Sequence, residues 1–266
     1  MQELLNKTAL ITGAANGIGL ATAQLFCNEG CNLVLVDIDT KILDVATELE
    51  AMSLLADVSE EKSWKQIESY VKSHNIMIDI VVNNAGVNGK TIGLQDPENM
   101  TLKTWRTISK INLESIFLGC KFAIELMKHN TKNSAIVNVS SRSGIVGVPH
   151  LSAYASSKAA IRNYSKSVAL YCAEKNYNIR CNTVSPAVIM SNMWKEMLDN
   201  SCAHKDFLNQ IPLKRMGNPI DVANAILFLV SDRSAFITGS EIIVDGGILS
   251  GSAALPPLKI NCYKEL

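Results

Sequence analysis

Three residues in the second half of the chain have the types and spacing for acid–base chemistry on an alcohol oxygen. Tyr154 precedes Lys158 by four positions, and residues four apart lie on the same face of a helix. A nearby ammonium group favours the phenolate, so it lowers the pKa of a phenol from about 10. Ser141, thirteen residues before Tyr154, could hold a carbonyl or alcohol oxygen beside the same phenol. The three residues therefore predict proton transfer to and from an alcohol oxygen.

The same spacing occurs once more, at Tyr171 and Lys175. Thirteen positions before Tyr171 the chain has Lys158 rather than a serine. We interpret this second pair as part of a solvated helix face, which shows that the spacing alone does not define a site.

A glycine-rich turn near the N-terminus indicates a nucleotide site. The apolar run Thr8–Thr12 predicts a buried strand and leads into Gly13, Gly17 and Gly19, which open a segment of helical spacing. A helix N-terminus offers free N–H groups and a positive dipole end to a pyrophosphate, and glycines allow close backbone approach. The alternative is a turn that only connects a strand to a helix.

An acidic residue follows the next apolar run. Asp37 comes directly after residues 32–36 and eighteen positions after Gly19. A carboxylate at the end of the second strand can accept hydrogen bonds from the adenosine ribose and would repel a 2′-phosphate, which predicts NAD as the cofactor. The first basic residue beyond it is Lys41. Taken alone, Asp37 could equally be a turn residue.

Together these features resemble the short-chain dehydrogenase/reductase family over about residues 6 to 248. The matching motifs, in chain order, are Thr12–Gly19, Asn83–Gly86, Lys110–Leu113, Val139–Ser141, Tyr154–Lys158, Ser185–Pro186 and Ile237–Gly247.

The resemblance implies a catalytic role for four residues. Tyr154 would be the acid/base and Ser141 the partner of the substrate oxygen. Lys158 would lower the pKa of the phenol and bind the nicotinamide ribose. Asn112 would hold a water that links Lys158 to solvent as a proton relay.

The resemblance also implies a nucleotide-binding set. Asp57 and Val58 would flank the adenine, Asn84 would shape the cofactor cleft, and Ile189 would offer backbone groups to the carboxamide. The full set is Gly13, Asn16, Gly17, Ile18, Gly19, Asp37, Ile38, Asp57, Val58, Asn84, Ala85, Gly86, Tyr154, Lys158, Pro186, Ile189 and Ser191.

Three positions differ from the family pattern. Pro186 is followed by Ala187 instead of glycine, and alanine tolerates a positive φ poorly. Ser191 stands where a threonine usually meets the nicotinamide amide, and Ser115 stands where glycine is usual. None of these changes removes a catalytic group, but the path of the chain on the substrate side could differ.

Composition limits the class of protein. A chain of 266 residues that is 47% hydrophobic can bury a large core, and the 25 basic and 25 acidic residues cancel, which argues against nucleic acid and membrane partners. We find no signal peptide and no stretch of about 20 apolar residues, so we expect a cytoplasmic protein. Seven scattered cysteines indicate reduced thiols, and neither they nor the histidines have the spacing of a metal site. His150 lies close to Tyr154 in sequence, but we interpret it as an ordinary surface residue.

The order of apolar runs and helical segments predicts a single α/β domain over residues 1–249, with a tail at 250–266. The expected fold is a Rossmann-type, doubly wound parallel sheet of about seven strands, with helices on both faces. Strands are predicted near residues 8–12, 32–36, 53–56, 78–82, 135–139, 179–184 and 241–244, and helices near residues 17–29, 40–50, 59–73, 101–129, 154–176 and 219–231. Ser59, Thr101 and Asn218 are candidate N-caps.

Residues 187–213 fall outside this alternation. Their apolar side chains, at near-helical spacing, predict either a lid over the substrate or a helix packed on the core, and family placement favours the lid. The resemblance also implies a homotetramer in which the helices at 101–129 and 154–176 pair across one interface.

The function expected from the residues and the resemblance together is NAD-dependent interconversion of a secondary alcohol and a ketone. A small-molecule substrate with an apolar part, such as a hydroxyacyl thioester or a steroid-like alcohol, is favoured by the apolar lid. A sugar or polyol dehydrogenase and a 3-oxoacyl reductase are alternatives within the family, although Asp37 argues against the second because those reductases usually use NADPH. A nucleotide-sensing regulator without catalysis is the alternative from another class.

Overall fold

The computed structural model of the protein describes residues 2–190 and 208–251. Their β-branched and apolar runs form one sheet of seven strands. The strands are β1 (Thr8–Thr12), β2 (Asn32–Asp37), β3 (Met52–Leu55), β4 (Ile80–Asn83), β5 (Ser134–Val139), β6 (Ile179–Pro186) and β7 (Glu241–Val244).

All neighbouring strands are parallel, in the order β3-β2-β1-β4-β5-β6-β7. Strand β1 is the point where the order reverses, because Ala9 pairs with Leu33 of β2 on one side and with Ile80 of β4 on the other. In such sheets a crevice opens at the carboxyl ends of the strands on either side of the reversal.

Two layers of helices cover the sheet. They are α1 (Gly17–Asn28), α2 (Ile42–Glu48), α3 (Glu61–Ser73), α4 (Leu102–Ser109), α5 (Ser115–Met127), α6 (Ser152–Glu174) and α7 (Pro219–Val230). Successive residues of a strand point to opposite faces, so Ala9 and Ile11 pack with α1, α2 and α7, whereas Leu10 packs with α3, α5 and α6. The central strands are apolar throughout because both faces are buried.

The predicted doubly wound α/β fold is therefore confirmed, and each described strand and helix lies within two residues of its expected ends. The predicted N-caps gave mixed results. The Thr101 hydroxyl accepts a hydrogen bond from Thr104 N at 3.1 Å, and Asn218 forms a capping box with Asp221. Ser59 was wrong as a cap: α3 begins at Glu61, and Ser59 N instead donates to Asp57 Oδ1 at 2.9 Å.

The long helix predicted for residues 101–129 contains a π-helical turn. Residues Lys110–Glu114 form this turn and connect α4 directly to α5, so the helical segment continues without a gap. The Ser115 hydroxyl donates to Ile111 O at 2.6 Å and so satisfies a carbonyl inside this turn. Single π-turns within α-helices are often found at functional sites, and this one carries Asn112.

Several expectations concern residues outside those the structure describes. They include the central part of the 187–213 segment with Ser191, and nearly all of the 250–266 tail. No helix in the described ranges has the length and apolar character needed to span a bilayer. The five cysteines within these ranges are all free thiols.

Candidate active site

The fold brings the four predicted catalytic residues to the carboxyl edge of the sheet. Ser141 lies two positions after β5, Tyr154 and Lys158 occupy the first two turns of α6, and Asn112 lies in the π-turn. The Lys158 ammonium donates to Val139 O at 2.9 Å and lies 5.9 Å from the centroid of the Tyr154 ring. Ser141, Tyr154 and Lys158 belong to the connection between β5 and β6, whereas Asn112 belongs to the connection between β4 and β5, so only the folded chain assembles the four residues.

Ser140 and Gly86 explain how Lys158 is held so closely against the sheet. The Ser140 hydroxyl donates to Lys158 O at 2.7 Å, which ties the end of β5 to α6. A Cβ atom on Gly86 would lie 3.1 Å from Asn112 Oδ1 and 3.3 Å from Lys158 Nζ. Glycine at position 86 therefore leaves room for both side chains beside the loop that follows β4.

Asn112 is fully buried, and both polar atoms of its amide have protein partners. Its Oδ1 accepts from Val87 N at 2.8 Å, and its Nδ2 donates to Val87 O at 2.9 Å and to Ser157 Oγ at 3.2 Å. The side chain thus fastens the loop after β4 to α6. The water relay expected through Asn112 stays a prediction.

The electrostatics of the pair differ from the sequence expectation. Burial raises the pKa of the Tyr154 phenol, and a hydrogen bond with Ser141 opposes this only in part. Burial also lowers the pKa of Lys158, to about 8. The expectation of a lowered phenol pKa was wrong for the protein by itself, because burial is the largest effect at Tyr154 and it raises the pKa.

The second Tyr–Lys pair lies at nearly the same separation in a different environment. Lys175 Nζ is 5.7 Å from the centroid of the Tyr171 ring, but the Tyr171 side chain is 47% exposed, whereas Lys158 is 4% exposed. The interpretation of the second pair as a solvated helix face is supported. Helix spacing sets the distance within each pair, and burial distinguishes them.

The glycine turn after β1 has the shape of an anion cradle. Gly13 and Gly17 have φ values of +67° and +59°, and a Cβ on Gly13 would lie 2.9 Å from Ala85 Cα. Beside Gly17 the space is open, since a Cβ there would meet nothing within 4 Å. Asn16 precedes α1 without capping it through its side chain, and the first turn has no acidic residue. These features fit the pyrophosphate of a dinucleotide at the N-terminus of α1, beside Ile18 and the buried Gly19.

Asn84 supports this turn from the neighbouring loop. Its Nδ2 donates to Thr12 O and to Gly13 O, both at 3.0 Å. Thr12 Oγ1 accepts from the backbone N–H groups of Asn84 and Ala85 at 3.0 and 3.1 Å. These hydrogen bonds join the loop after β1 to the loop after β4, and the role of Asn84 and Ala85 toward a cofactor stays a prediction.

The residues predicted to meet the adenosine lie at the ends of β2 and β3. Asp37 Oδ2 accepts from Ala15 N at 2.9 Å, and its Oδ1 accepts from Asp39 N at 3.0 Å. Ile38 is exposed beside it. Asp57 turns the chain into α3, and Val58 is buried with its carbonyl bound to Trp64 Nε1 at 2.8 Å. Asp37 ends β2 and its carboxylate contacts the glycine turn directly, and its role toward the adenosine ribose stays a prediction.

On the opposite side of the crevice, β6 ends in Pro186. Ile189 forms an isolated parallel bridge with Gly217, but the two hydrogen bonds of this bridge use Val188 O and Met190 N. The N–H and C=O groups of Ile189 have no partner among the described residues, which fits the expected role toward a carboxamide. Ala187 does not adopt a positive φ, so its replacement of glycine causes no backbone strain.

Sequence reasoning missed one buried polar residue next to the site. Gln95 is 3% exposed and its side chain accepts a hydrogen bond from Tyr154 N at 3.1 Å. No motif or spacing marks a lone glutamine in the loop between β4 and α4. Only the approach of that loop to the start of α6 reveals it.

Comparison with known proteins agrees with this geometry. The family model described as enoyl-(acyl carrier protein) reductase matches residues 13–249. A cyclopentanol dehydrogenase of Comamonas is 36% identical over 253 residues, covering 93% of this chain and 98% of the relative. An NADP-dependent (R)-specific alcohol dehydrogenase of Lentilactobacillus kefiri is 35% identical over 254 residues, covering 92% and 97%.

A solved structure shares the complete architecture. The ligand-free aldohexose dehydrogenase of Thermoplasma acidophilum superposes with a TM-score of 0.85 at 30% sequence identity, covering 96% of this chain and 99% of that one. The family model and these relatives show that the chain belongs to the short-chain dehydrogenase/reductase family, whose members are oxidoreductases acting on CH–OH groups.

Proposed function

We propose that this protein is an NAD(H)-dependent oxidoreductase that interconverts a secondary alcohol and a ketone. The observation that carries the proposal is the position of the Tyr154 ring, which lies 5.9 Å from the buried ammonium of Lys158, with the Ser141 hydroxyl acting to lower the pKa of the phenol. A phenol, a hydroxyl and a cation at one point can hold an alcohol oxygen and exchange its proton.

Each side chain has a separate task in this proposal. Ser141 Oγ orients the substrate oxygen, and the Tyr154 hydroxyl gives a proton to a ketone oxygen or receives one from an alcohol. Lys158, whose pKa is about 8, is mostly protonated at pH 7 and stabilises a phenolate. When bound, the dinucleotide cofactor supplies hydride transfer from its nicotinamide. The glycine turn would hold its pyrophosphate, and Ile189 would hold its carboxamide.

NAD rather than NADP is the cofactor that Asp37 favours. Its carboxylate lies against Ala15 of the glycine turn, where it would repel a 2′-phosphate. Because the kefiri relative is named as NADP-dependent, the choice depends on this chain's own residues. We expect Asp37→Ser to reduce the preference for NADH over NADPH at least tenfold, measured as the ratio of the two dissociation constants by fluorescence titration. An unchanged ratio would remove Asp37 from cofactor selection.

For the substrate we propose a secondary alcohol with an apolar part. The similarity to a cyclopentanol dehydrogenase supports an apolar carbon skeleton, whereas the aldohexose dehydrogenase structure keeps sugars and polyols as the second candidate. A 3-oxoacyl reductase is less favoured because of Asp37. A regulator without catalysis is disfavoured because all four catalytic positions are filled.

The test is turnover of NAD⁺ by the purified protein with a panel of secondary alcohols, followed as NADH absorbance. The panel contains cyclic and short alcohols, steroids, hydroxyacyl thioesters and polyols, and Tyr154→Phe is the control. Turnover that disappears in the variant supports the proposal and identifies the substrate class. NADH binding without turnover in either direction would favour the regulator.

We also propose that the protein is a homotetramer in which each subunit consists of one domain. Phe117 of α5 and Tyr171 of α6 are exposed apolar side chains, and Phe117 contacts Tyr164 with 6.4 Å between ring centroids. An aromatic surface of this kind suits an interface between copies.

We further propose that the protein works in a reducing compartment such as the cytoplasm. The buried thiols, with the pKa of Cys31 raised to about 12 by burial, suit a protein without disulfides.

A further inference from the structure

Gln95 is a buried polar residue that none of the expected catalytic or cofactor contacts uses. It lies in the loop between β4 and α4 and is 3% exposed. A buried amide is costly unless its donor and acceptor are both satisfied, so its partners indicate what the side chain does.

On one side Gln95 caps the helix that carries the catalytic tyrosine. Its Oε1 accepts from Tyr154 N at 3.1 Å, and its backbone carbonyl accepts from Ser152 N at 3.2 Å and Ser152 Oγ at 2.5 Å. The N-cap residue Leu151 has no side-chain acceptor for these groups. Two free N–H groups of the first turn of α6, those of Ser152 and Tyr154, are thus satisfied from a distant loop rather than from the helix's own cap.

On the other side Gln95 holds its own loop together. Its Nε2 donates to Asn88 O at 2.8 Å, and the adjacent Val87 is bound through both backbone groups to Asn112. Asn112 in turn donates to Ser157 Oγ, which donates to Tyr154 O at 2.7 Å.

These contacts close a ring around the tyrosine. Starting at Tyr154 N, the ring passes through Gln95, the Asn88–Val87 backbone, Asn112 and Ser157, and returns at Tyr154 O. The N–H and the C=O of Tyr154 are therefore both held by the same network. The ring includes the loop after β4, at the carboxyl edge where Ser141 and Lys158 also lie.

We propose that Gln95 is a positioning residue, which sets the place of the Tyr154 phenol by holding its backbone to the loop that follows β4. The inference rests on the proposed function, since it concerns the reach of the acid/base to the substrate oxygen. Displacement of a reacting group by about 1 Å can cost about 10² in rate, so a residue that never touches substrate can control turnover.

The test compares Gln95→Met with the wild-type enzyme. Methionine has a similar length but neither hydrogen-bonding group, so the ring opens at both Gln95 contacts. We expect kcat to fall about tenfold to a hundredfold, while the dissociation constant of NADH changes less than about threefold. Gln95→Glu keeps an acceptor for Tyr154 N, and we expect its kcat to lie closer to the wild-type value.

A matched control separates positioning from general loss of stability. Asn130 is an amide outside the site whose Nδ2 donates to Ile78 O at 2.8 Å and Ser134 Oγ at 3.0 Å. Asn130→Leu should lower the melting temperature without changing kcat. If Gln95→Met does not fold, Ser152→Ala removes only the hydroxyl bond to Gln95 O, and kcat should still fall at least about threefold at saturating substrate.

The inference and the proposed function fail in different ways. Wild-type protein without turnover on any substrate would contradict the function. Turnover in the wild type together with a kcat of Gln95→Met within threefold of it would overturn the role of Gln95 alone.

Discussion

At the scale of single residues, the two Tyr–Lys pairs of α6 show what turns a spacing into a site. The distances from ammonium to ring centroid are 5.9 and 5.7 Å, yet of the two lysines only Lys158 is buried. Removal of water strengthens every electrostatic interaction that remains, so the same pair of groups acts differently in the two places.

Tyr154→Phe removes the proton donor while keeping the ring. We expect kcat to fall by about 10² to 10⁴, the usual contribution of a general acid or base, with NADH affinity nearly unchanged. Steady-state turnover and NADH fluorescence measure the two effects. Tyr171→Phe, with the same change on the exposed pair, should remain fully active, and a Tyr154→Phe enzyme that keeps a tenth of its activity would contradict the mechanism.

Lys158→Met should stabilise the protein while it abolishes turnover. Burial lowers the pKa of Lys158 from 10.5 to about 8, so below pH 8 the folded state carries a costly buried charge. That difference corresponds to about 3 kcal/mol at most, and loss of the bond to Val139 O offsets part of it. We therefore expect a gain of about 1 to 3 kcal/mol in unfolding free energy at pH 7.

The sign of the pH dependence follows from linkage. Between pH 8 and 10.5 the unfolded chain binds more protons at this residue, so wild-type stability from Lys158 rises with pH and the advantage of Lys158→Met shrinks. Urea unfolding at pH 7 and at pH 10 measures this difference. Lys175→Met, at an exposed position, should change little at either pH, and a Lys158→Met gain that grows with pH would be inconsistent with a buried ammonium.

At the scale of elements, α5 packs against β4 so closely that a glycine is required at the contact. A Cβ on Gly119 would collide with Asn83 Oδ1. Asn83 has little freedom to move, because its Nδ2 donates to Asn138 Oδ1 at 2.8 Å and Asn138 Nδ2 donates to Ser165 Oγ at 2.9 Å. This buried polar chain links β4, β5 and α6 just below the catalytic edge.

Gly119→Ala should destabilise the protein by about 1 to 3 kcal/mol, the usual cost of overpacking a core, despite the better helix propensity of alanine. Thermal or urea unfolding measures it. Gly147→Ala is the matched control, since a Cβ there would meet nothing within 4 Å and its φ is not positive. Equal stability of the two variants would mean that α5 can move away from β4 freely.

At the scale of the whole molecule, the crossovers of the sheet bring every part of the site to one edge. The glycine turn and Asp37 come from the first two strands, and Ser141 follows β5 on the other side of the reversal at β1. Phe117 of α5 and Tyr171 of α6 are each 47% exposed and form an aromatic surface on these two helices. We expect this aromatic surface to be covered by another copy.

Phe117→Glu should break the proposed tetramer into smaller species, because a charge in an apolar interface loses its hydration without gaining a partner. Light scattering on a sizing column measures the mass. Met77→Glu places the same charge at an exposed methionine elsewhere and should leave the mass unchanged. A Phe117→Glu protein with the mass of the wild type would place the interface on another surface.

The sequence by itself determined the features that depend on local order along the chain. Strands and helices followed from apolar periodicity, and the glycine turn, Asp37 and the candidate catalytic residues were recognisable as candidates because each belongs to a short motif of constrained spacing. Only the tertiary structure decided the features that depend on distant contacts. Burial raises the pKa of Tyr154, Ser59 N binds Asp57 Oδ1 while Glu60 takes the N-cap position of α3, and Gln95 accepts from Tyr154 N across 59 positions of sequence. Desolvation and long-range hydrogen bonds are set by which surfaces the fold brings together, and no local pattern of residues encodes them.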